Sequence, residues 1–318
     1  MSHIPVMRDE VMDALAIKPG GTYVDATFGR GGYSRAMLAR GAKVIGLDRD
    51  PDAIAAGQKL AAENSNFSII STPFGALAEV IEAGSVDGIA FDLGVSSPQL
   101  DEAARGFSFR ADGPLDMRMD NRVGPSAADL VNHLKDSELA DLIYKYGEER
   151  QSRRIAAAIV RYRSEHGPIT RTLQLAEIIR SVIRSKPHEI DPATRSFQAL
   201  RIAVNDELGE LERGLAAAET VLKPQGRLVV VSFHSLEDRI VKDFLKDASG
   251  TAPAASRHIP VGAPPPKRFT LVGKQPIAAS EVEAKANPRA RSAKLRVAAR
   301  TDVAAPTSSA ITSSGGDA

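Results

Sequence analysis

The first 95 residues alternate between short apolar runs and amphipathic stretches of helical composition. The apolar runs predict buried strands at 22–26, 43–47, 67–71 and 86–92, and the intervening stretches predict helices at 34–40, 51–63 and 75–83. Two parallel strands need a long crossover between them, usually a helix, so this alternation is typical of βαβ units around a parallel sheet. The sequence therefore predicts an α/β fold.

From about residue 104 the periodicity becomes helical, with predicted helices at 127–134, 136–146, 151–165, 172–183 and 196–222. A strand at 227–233 and a helix at 235–246 resume the first pattern, and after an irregular loop at 249–266 a closing strand pair is predicted at 269–272 and 293–298. We therefore predict a discontinuous core, 1–103 and 204–300, and an inserted helical, Arg-rich substrate-recognition domain, 104–203. The segment 301–318 has almost no bulky apolar side chains and is predicted to be disordered.

The basic residues are concentrated in two blocks, although the whole chain has a net charge of only +1. Residues 150–201 contain 11 Arg or Lys against 4 Asp or Glu, and residues 256–300 contain 10 against 2. Such clustering favours a polyanionic partner, nucleic acid in particular. The alternative, for either block alone, is a solvated face of an Arg-rich helix.

Several classes of protein and site are disfavoured by what the sequence lacks. No apolar run is long enough for a membrane span, and charges at 8–10 interrupt the N-terminus, so we expect a cytoplasmic protein without a membrane partner. The absence of Cys excludes disulfides, thiolate metal sites and a Cys nucleophile. The six His residues include no pair at helical ligand spacing, so no metal site is expected.

A glycine-rich loop, 25–32, joins the first predicted strand to the first predicted helix of the sheet. Gly29, Gly31 and Gly32 indicate close approach of the backbone to a ligand at a helix N-terminus. Asp25 would repel the pyrophosphate of a dinucleotide, whereas the ammonium group of a bound methionine would favour a nearby carboxylate. The loop therefore predicts S-adenosylmethionine as the cofactor, with a Rossmann-like methyltransferase core.

Three further residues end strands of the predicted sheet, where ligands of such sheets bind. Asp48 is predicted to accept hydrogen bonds from the ribose hydroxyls; otherwise it would cap the helix that starts at Pro51, a task for which Asp50 is better placed. Phe74 is predicted to lie against adenine, unless it is a core residue. Asp92 is predicted to face the reacting sulfonium, the alternative being a cap on the following turn.

The missing Cys also constrains the acceptor atom. Methylation of C5 in a pyrimidine usually needs a Cys that adds to the ring, so attack by a nitrogen or oxygen lone pair remains. For an exocyclic amine, Asp92 could accept hydrogen bonds from the N–H groups and hold the nitrogen in line. No aromatic residue follows Asp92 within 93–99, and Phe107, Phe109 and Phe197 are candidates for stacking on the base.

Eight ordered motifs, which extend over the chain from about residue 3 to 300, resemble the RsmH (MraW) family of bacterial ribosomal RNA methyltransferases. They occupy 27–32, 92–99, 105–109, 113–119, 146–150, 193–201, 232–239 and 287–292. The resemblance implies a class I S-adenosylmethionine methyltransferase core with an inserted α-helical domain. It also implies N4-methylation of one cytidine in the decoding centre of 16S ribosomal RNA within the small subunit, by direct in-line attack without a covalent intermediate.

The resemblance further implies particular site residues. Cofactor contacts are expected at Gly31, Gly32, Tyr33, Asp48, Phe74, Asp92 and Gln99. Many relatives have His in place of Tyr33, so a contact through its backbone carries over more safely than one through its side chain. The sequence does not fix the oligomeric state, and a homodimer is one option.

Two polar residues keep alternative interpretations. Asp116 lies among arginines and either orients a phosphate-binding Arg, reaches the target base, or forms a structural salt bridge. His234 follows the fifth strand of the core and either reaches the catalytic pocket or is a hydrogen-bonded, half-buried histidine. A methyltransferase for small molecules or proteins and a non-catalytic ribosome-assembly factor are the competing functions.

Overall fold

A computed structural model describes residues 5–183, 190–251 and 266–303. Within them the chain divides into two compact units. The described part of unit 1 lies within Met1–Asp48, Ile54–Leu93 and Leu211–Ala318, and that of unit 2 within Arg49–Ala53 and Gly94–Glu210. The predicted insertion, 104–203, is shorter than unit 2 at both ends. Most of the predicted loop 249–266 and of the predicted disordered tail lies outside the described residues.

Unit 1 contains a twisted sheet whose strands follow the order β3-β2-β1-β4-β5-β8-β6. The strands are β1 Thr22–Asp25, β2 Lys43–Asp48, β3 Phe67–Ser71, β4 Val86–Asp92, β5 Leu222–Ser232, β6 Phe269–Leu271, β7 Ile277–Ala278 and β8 Lys294–Arg300. The pairs among β1 to β5 are parallel, and β8 runs antiparallel to β5, β6 and β7. The strand order reverses direction at β1 and β4. This is the predicted Rossmann-like α/β class, and a ligand of such a sheet binds at that reversal.

The helices of unit 1 include α1 Arg8–Leu15, α2 Gly32–Ala39, α4 Leu77–Val80, α12 Ser235–Ala248 and α13 Glu281–Ala286. Helix α3, Pro51–Glu63, and helix α11, Glu207–Val221, have most of their residues in this unit. The sheet and helices enclose fully buried side chains such as Val24, Ile89 and Phe91. The prediction of one helix over 75–83 was wrong, because a 3-10 turn, Phe74–Ala76, precedes a single-turn α4.

Unit 2 is helical and has its own hydrophobic core. Its helices are α5 Ser97–Asp101, α6 Ala127–His133, α7 Asp136–Gly147, α8 Ser152–His166, α9 Thr172–Val182 and α10 Ala193–Asn205. The buried residues Ile143, Ile159 and Ile179 lie on three of these helices and belong to the core. The apolar residues at three- and four-residue spacing thus form the faces that pack together. None of the described helices is long and apolar enough to cross a membrane.

The single helix predicted over 196–222 is two helices, α10 and α11. They are separated at Asp206, which adopts a left-handed conformation with φ of 48°. Just before the break, the Asn205 side chain accepts a hydrogen bond from Met119 N and donates one to Met117 O. Because the break accompanies a contact with a segment 86 residues earlier in the chain, periodicity along the helix did not reveal it.

Much of the second basic block is neutralised inside unit 1. Arg268 pairs with Glu219 at 2.6 Å, Arg296 and Lys294 pair with Asp238 at 2.8 and 3.1 Å, and Arg300 approaches Glu219 at 3.9 Å. Glu219 and Asp238 lie outside residues 256–300, so counting charges within that block does not reveal that its arginines are paired. These four basic residues stabilise the closing strands, which weakens the argument that this block binds nucleic acid.

Gly106 permits a tight turn in unit 2. Its φ is 76°, and a Cβ there would lie 2.2 Å from Pro114 O and 2.6 Å from Asp116 N. We expect Gly106→Ala to lower the free energy of unfolding by about 2–5 kcal/mol, since strain of the left-handed backbone and overpacking both contribute. Urea titration followed by circular dichroism measures this change.

Gly124→Ala is the matched control. Gly124 has a φ of 77°, but no atom lies within 4 Å of the added Cβ. It should therefore show only the backbone cost of about 1–2 kcal/mol. Equal losses in the two variants would mean that the close approach at Gly106 does not contribute to stability.

Candidate active site

The glycine-rich loop connects β1 to α2 and is held in a conformation suited to glycine. Gly29 and Gly31 have φ of 53° and 77°. A Cβ on Gly31 would lie 2.7 Å from the ring of Phe28, and one on Gly32 would lie 2.2 Å from Pro5 Cγ. Gly31 is the N-cap of α2, and no side chain caps this helix end. The first turn of α2 can therefore offer backbone N–H groups to an anionic ligand group.

Asp48 ends β2 and is tied to the loop. Its Oδ2 accepts a hydrogen bond from the backbone N–H of Gly29 at 2.8 Å. The alternative role of capping α3 belongs to Asp50, whose Oδ1 accepts from Asp52 N at 2.9 Å. Asp48 is half-buried at the end of a strand, as a group that accepts hydrogen bonds from a ribose must be.

Asp25 ends β1 and is almost fully buried. Its Oδ2 accepts hydrogen bonds from Ser34 N at 3.0 Å and from Ser34 Oγ at 2.7 Å, so the carboxylate is fixed to the first turn of α2. Its buried Oδ1 has no hydrogen-bond partner among the described residues. Burial raises the pKa of Asp25 to about 6, although hydrogen bonds from Ser34 and Thr27 oppose the shift.

Asp92 ends β4 at the same edge of the sheet. Its backbone N–H donates to Thr27 Oγ1 at 2.7 Å, which links β4 to the glycine-rich loop. The buried Oδ1 of its carboxyl group has no partner within the described part of the chain. Burial raises the pKa of Asp92 to about 8, and the charges of Asp25 and Glu237 contribute. A buried carboxyl oxygen without a partner is costly to the fold and is typical of a functional site.

Tyr33 and Phe74 serve partly as packing residues. The Tyr33 hydroxyl donates to Val6 O at 2.5 Å, and its ring is buried. The side chain is thus occupied, which leaves the backbone of Tyr33 for any cofactor contact. Phe74 packs edge-on against Phe91 with ring centroids 5.5 Å apart, yet it stays half-buried. Part of its ring remains accessible to a ligand.

Gln99 lies in unit 2 and uses both ends of its amide within that unit. Its Oε1 accepts from Ser96 N at 2.9 Å, and its Nε2 donates to Asp50 Oδ2 at 2.7 Å. Through these two hydrogen bonds, Gln99 holds the segment that follows β4 in place. A direct cofactor contact of Gln99 stays a prediction.

Arg105 is a positioning residue that the sequence did not single out. This nearly buried side chain donates to Asp50 Oδ2 at 2.9 Å and to the carbonyls of Arg118 and Met119 at 3.1 and 2.9 Å. It therefore holds the polar segment 113–119 in place within unit 2. Asp50 is 55 residues away in sequence, and no spacing rule connects the two. The only signal was that Arg105 begins one of the eight motifs.

Asp116 and His234 have structural contacts. Arg118 binds both carboxylate oxygens of Asp116, at 3.0 and 2.7 Å. Burial opposes ionisation, but these bonds keep the pKa of Asp116 below its usual value. The imidazole Nδ1 of His234 accepts from Glu237 N at 3.4 Å at the start of α12, and Nε2 lies 3.1 Å from Glu237 Oε1. The geometry thus favours a salt bridge for Asp116 and a helix cap for His234. Catalytic roles for these two residues stay predictions.

The three phenylalanines proposed for base stacking take part in the core of unit 2. Phe107 is buried, and Phe109 and Phe197 pack edge-on with centroids 4.8 Å apart. Phe197 is only 4% exposed. The buried rings of Phe107 and Phe197 cannot offer a face to a nucleotide without repacking, whereas Phe109 is only half-buried.

A family model described as the MraW methylase family matches residues 1–301. This chain belongs to that family. The chain is therefore a methyltransferase, and its methyl donor is S-adenosylmethionine, as the loop predicted. The curated relatives are named "Ribosomal RNA small subunit methyltransferase H".

These relatives come from several bacteria. The protein of Methylocella silvestris is 58% identical over 309 residues, which is 95% of this chain and 89% of the relative. That of Methylobacterium sp. (strain 4-46) is 57% identical over 313 residues, 96% of this chain and 92% of the relative. That of Caulobacter vibrioides is 57% identical over 302 residues, 94% of this chain and 96% of the relative. Similarity at this level extends over both units.

Proposed function

We propose that this protein methylates N4 of a cytidine in the 16S ribosomal RNA of the small ribosomal subunit. The observation that carries the chemistry is the buried, unpartnered Oδ1 of Asp92 at the carboxyl end of β4. The substrate follows from the name of the relatives, and the amine acceptor from the family resemblance together with the absence of Cys. We place the protein in the cytoplasm, where the small subunit is assembled, and a homodimer stays a prediction.

The residues at the carboxyl ends of β1, β2 and β4 fit S-adenosylmethionine. Asp25 Oδ1 is buried without a partner and suits an ammonium group, while the uncapped first turn of α2 suits a carboxylate. Asp48 would accept hydrogen bonds from the ribose hydroxyls, and the accessible part of the Phe74 ring would contact adenine. When bound, the cofactor supplies a methyl group made electrophilic by a sulfonium. Asp25, Gly29, Gly31, Gly32, Tyr33, Asp48, Phe74, Asp92 and Gln99 are the proposed cofactor contacts.

Asp92 has the properties required of the acceptor that orients an exocyclic amine. The lone pair of such an amine is shared with the ring, and hydrogen bonds from its N–H groups to a carboxylate favour a tetrahedral nitrogen. Transfer of the methyl group would break its bond to sulfur, leave a neutral thioether and place the positive charge on the nitrogen, which must then lose a proton. A carboxylate whose pKa is about 8 is basic enough to accept it at Oδ1. Asp116 and His234 stay candidates for a supporting role.

The test is incubation of the protein with tritiated S-adenosylmethionine and small subunits lacking the modification. After the 16S RNA is digested to nucleosides, we expect the label in N4-methylcytidine. Subunits that already carry the methyl group are the control and should take up no label. Label on protein, on C5 of cytosine or on a ribose oxygen would overturn the proposed acceptor. A parallel arm with naked 16S RNA determines which form of the RNA is the substrate.

A further inference from the structure

A surface cavity of about 420 Å³ lies in unit 2 where the end of α7 meets the start of α8. Asp141, Tyr144, Arg150, Gln151, Arg153 and Arg154 are among its lining residues. None of them belongs to the cofactor site. The cavity includes Arg150, the last residue of the motif 146–150, whose role the cofactor site does not explain.

The arginines of this cavity are exposed and incompletely neutralised. Arg150 has no ion pair or hydrogen bond among the described residues, and Arg153 approaches Asp141 only at 3.8 Å, with both side chains more than 70% exposed. Such a contact contributes little to stability. Arg154 donates to Gln151 Oε1 at 2.6 Å and to Val182 O at 3.3 Å, so its charge is hydrogen-bonded but not neutralised. Three arginines against one aspartate leave an excess of two positive charges.

The turn that carries Arg150 is built by buried residues. A Cβ on Gly147 would lie 2.6 Å from Arg195 O, so only glycine allows α7 and α10 to approach this closely. Glu149 is buried, and its Oε1 accepts from Gln151 N at 2.8 Å. These contacts fix the backbone on both sides of Arg150. The turn therefore presents an exposed guanidinium from a rigid support.

Tyr144 differs from the other aromatic residues of unit 2. It is 62% exposed, and its hydroxyl has no hydrogen bond among the described residues. Phe107 and Phe197, in contrast, are buried. An exposed ring beside exposed arginines is the combination that binds single-stranded nucleic acid, since bases stack on the ring and guanidinium groups bind phosphates.

We propose that this cavity binds an unpaired segment of the substrate RNA, with Arg150, Arg153 and Arg154 on phosphates and Tyr144 stacked on a base. The site deepens the proposed function and rests on it, since it presumes an RNA substrate. It commits to single-stranded RNA, because the stacking face of Tyr144 serves a base only where that base is unpaired.

The experiment measures binding of the full-length protein to 16S RNA and to a single-stranded oligoribonucleotide over a range of salt concentrations. The variants are Arg150→Gln/Arg153→Gln and Tyr144→Ala. The double variant should bind about ten to a hundred times more weakly at 0.1 M salt, and its salt slope should fall by about 1.4, which is 0.7 for each lost phosphate contact. Tyr144→Ala should lose about tenfold in affinity with an unchanged slope.

Three controls separate the possible failures. Tyr144→Phe keeps the stacking face and should bind as the wild type does, while Lys59→Gln/Lys246→Gln removes two exposed charges from unit 1 and should leave the slope unchanged. All variants should keep their melting temperature and their affinity for S-adenosylmethionine. Wild-type RNA affinity and slope in the double variant would overturn this proposal alone. A wild-type protein that neither binds nor methylates RNA would instead overturn the proposed function.

Discussion

Asp92→Asn should nearly abolish methyl transfer while making the protein more stable at pH 8. The amide has the shape of the carboxyl group but cannot accept a proton, and loss of a positioned general base costs about 10²–10⁴-fold in rate. Binding of S-adenosylhomocysteine should change little, because its sulfur is neutral. A wild-type turnover number in this variant would remove Asp92 from the chemistry.

The gain in stability follows from the raised pKa. The unfolded chain ionises Asp92 above its ordinary pKa of 3.8, whereas the folded protein retains the proton up to a pKa of about 8. The folded state thus binds more protons in this range, and its stability falls as the pH rises from about 4 to 8, by up to about 1.4 kcal/mol per pH unit. Asn carries no charge, so the Asp92→Asn variant does not lose this stability as the pH rises.

Thermal unfolding at two pH values checks the prediction. The melting temperature of Asp92→Asn should exceed that of the wild type at both pH values, and the difference should be several degrees larger at pH 8 than at pH 5. Asp87→Asn is a control with the opposite sign, because hydrogen bonds from Lys223 and Thr22 outweigh burial and lower the pKa of Asp87. That variant should lose stability at both pH values. The rate of the wild type should also rise with pH toward the pKa of Asp92.

The sequence predicted the sheet and the ends of its strands well, because periodicity and glycine placement act over a few residues. Strands β3 and β4 have the predicted bounds, and the order of chemistry-bearing residues at strand ends follows from topology alone. Asp25, Asp48 and Asp92 were found in this way. The raised pKa values of Asp25 and Asp92 were not predicted, since they depend on burial by residues from distant parts of the chain.

Features that depend on contacts between distant residues escaped the sequence analysis. The break between α10 and α11 accompanies the contact of Asn205 with Met117 and Met119, and the charge of Arg268 is cancelled by Glu219, 49 residues earlier. The exposed ring of Tyr144 was missed for the same reason. Its neighbours in sequence do not show that the other aromatic residues of unit 2 are packed while this one is free.

Asp48→Ala should weaken the binding of S-adenosylmethionine by at least about 100-fold. Hydrogen bonds to a charged acceptor contribute about 1.5–3 kcal/mol each, and two are expected from the ribose. Asp48→Asn keeps an oxygen that can accept from Gly29 N, so it should preserve the loop and lose only about tenfold. Calorimetry measures both affinities, and the melting temperature of the free protein should be unchanged in the Asn variant.

An analogue lacking the 2′-hydroxyl distinguishes a ribose contact from a purely structural role of Asp48. The wild type should bind 2′-deoxy S-adenosylhomocysteine more weakly than the parent compound, because Asp48 loses a donor. Asp48→Ala should bind the two compounds about equally, since the contact is already missing, and the coupling between the two changes isolates that contact. If the 2′-hydroxyl matters equally in both proteins, Asp48 acts by holding Gly29 and the ribose is bound by another group.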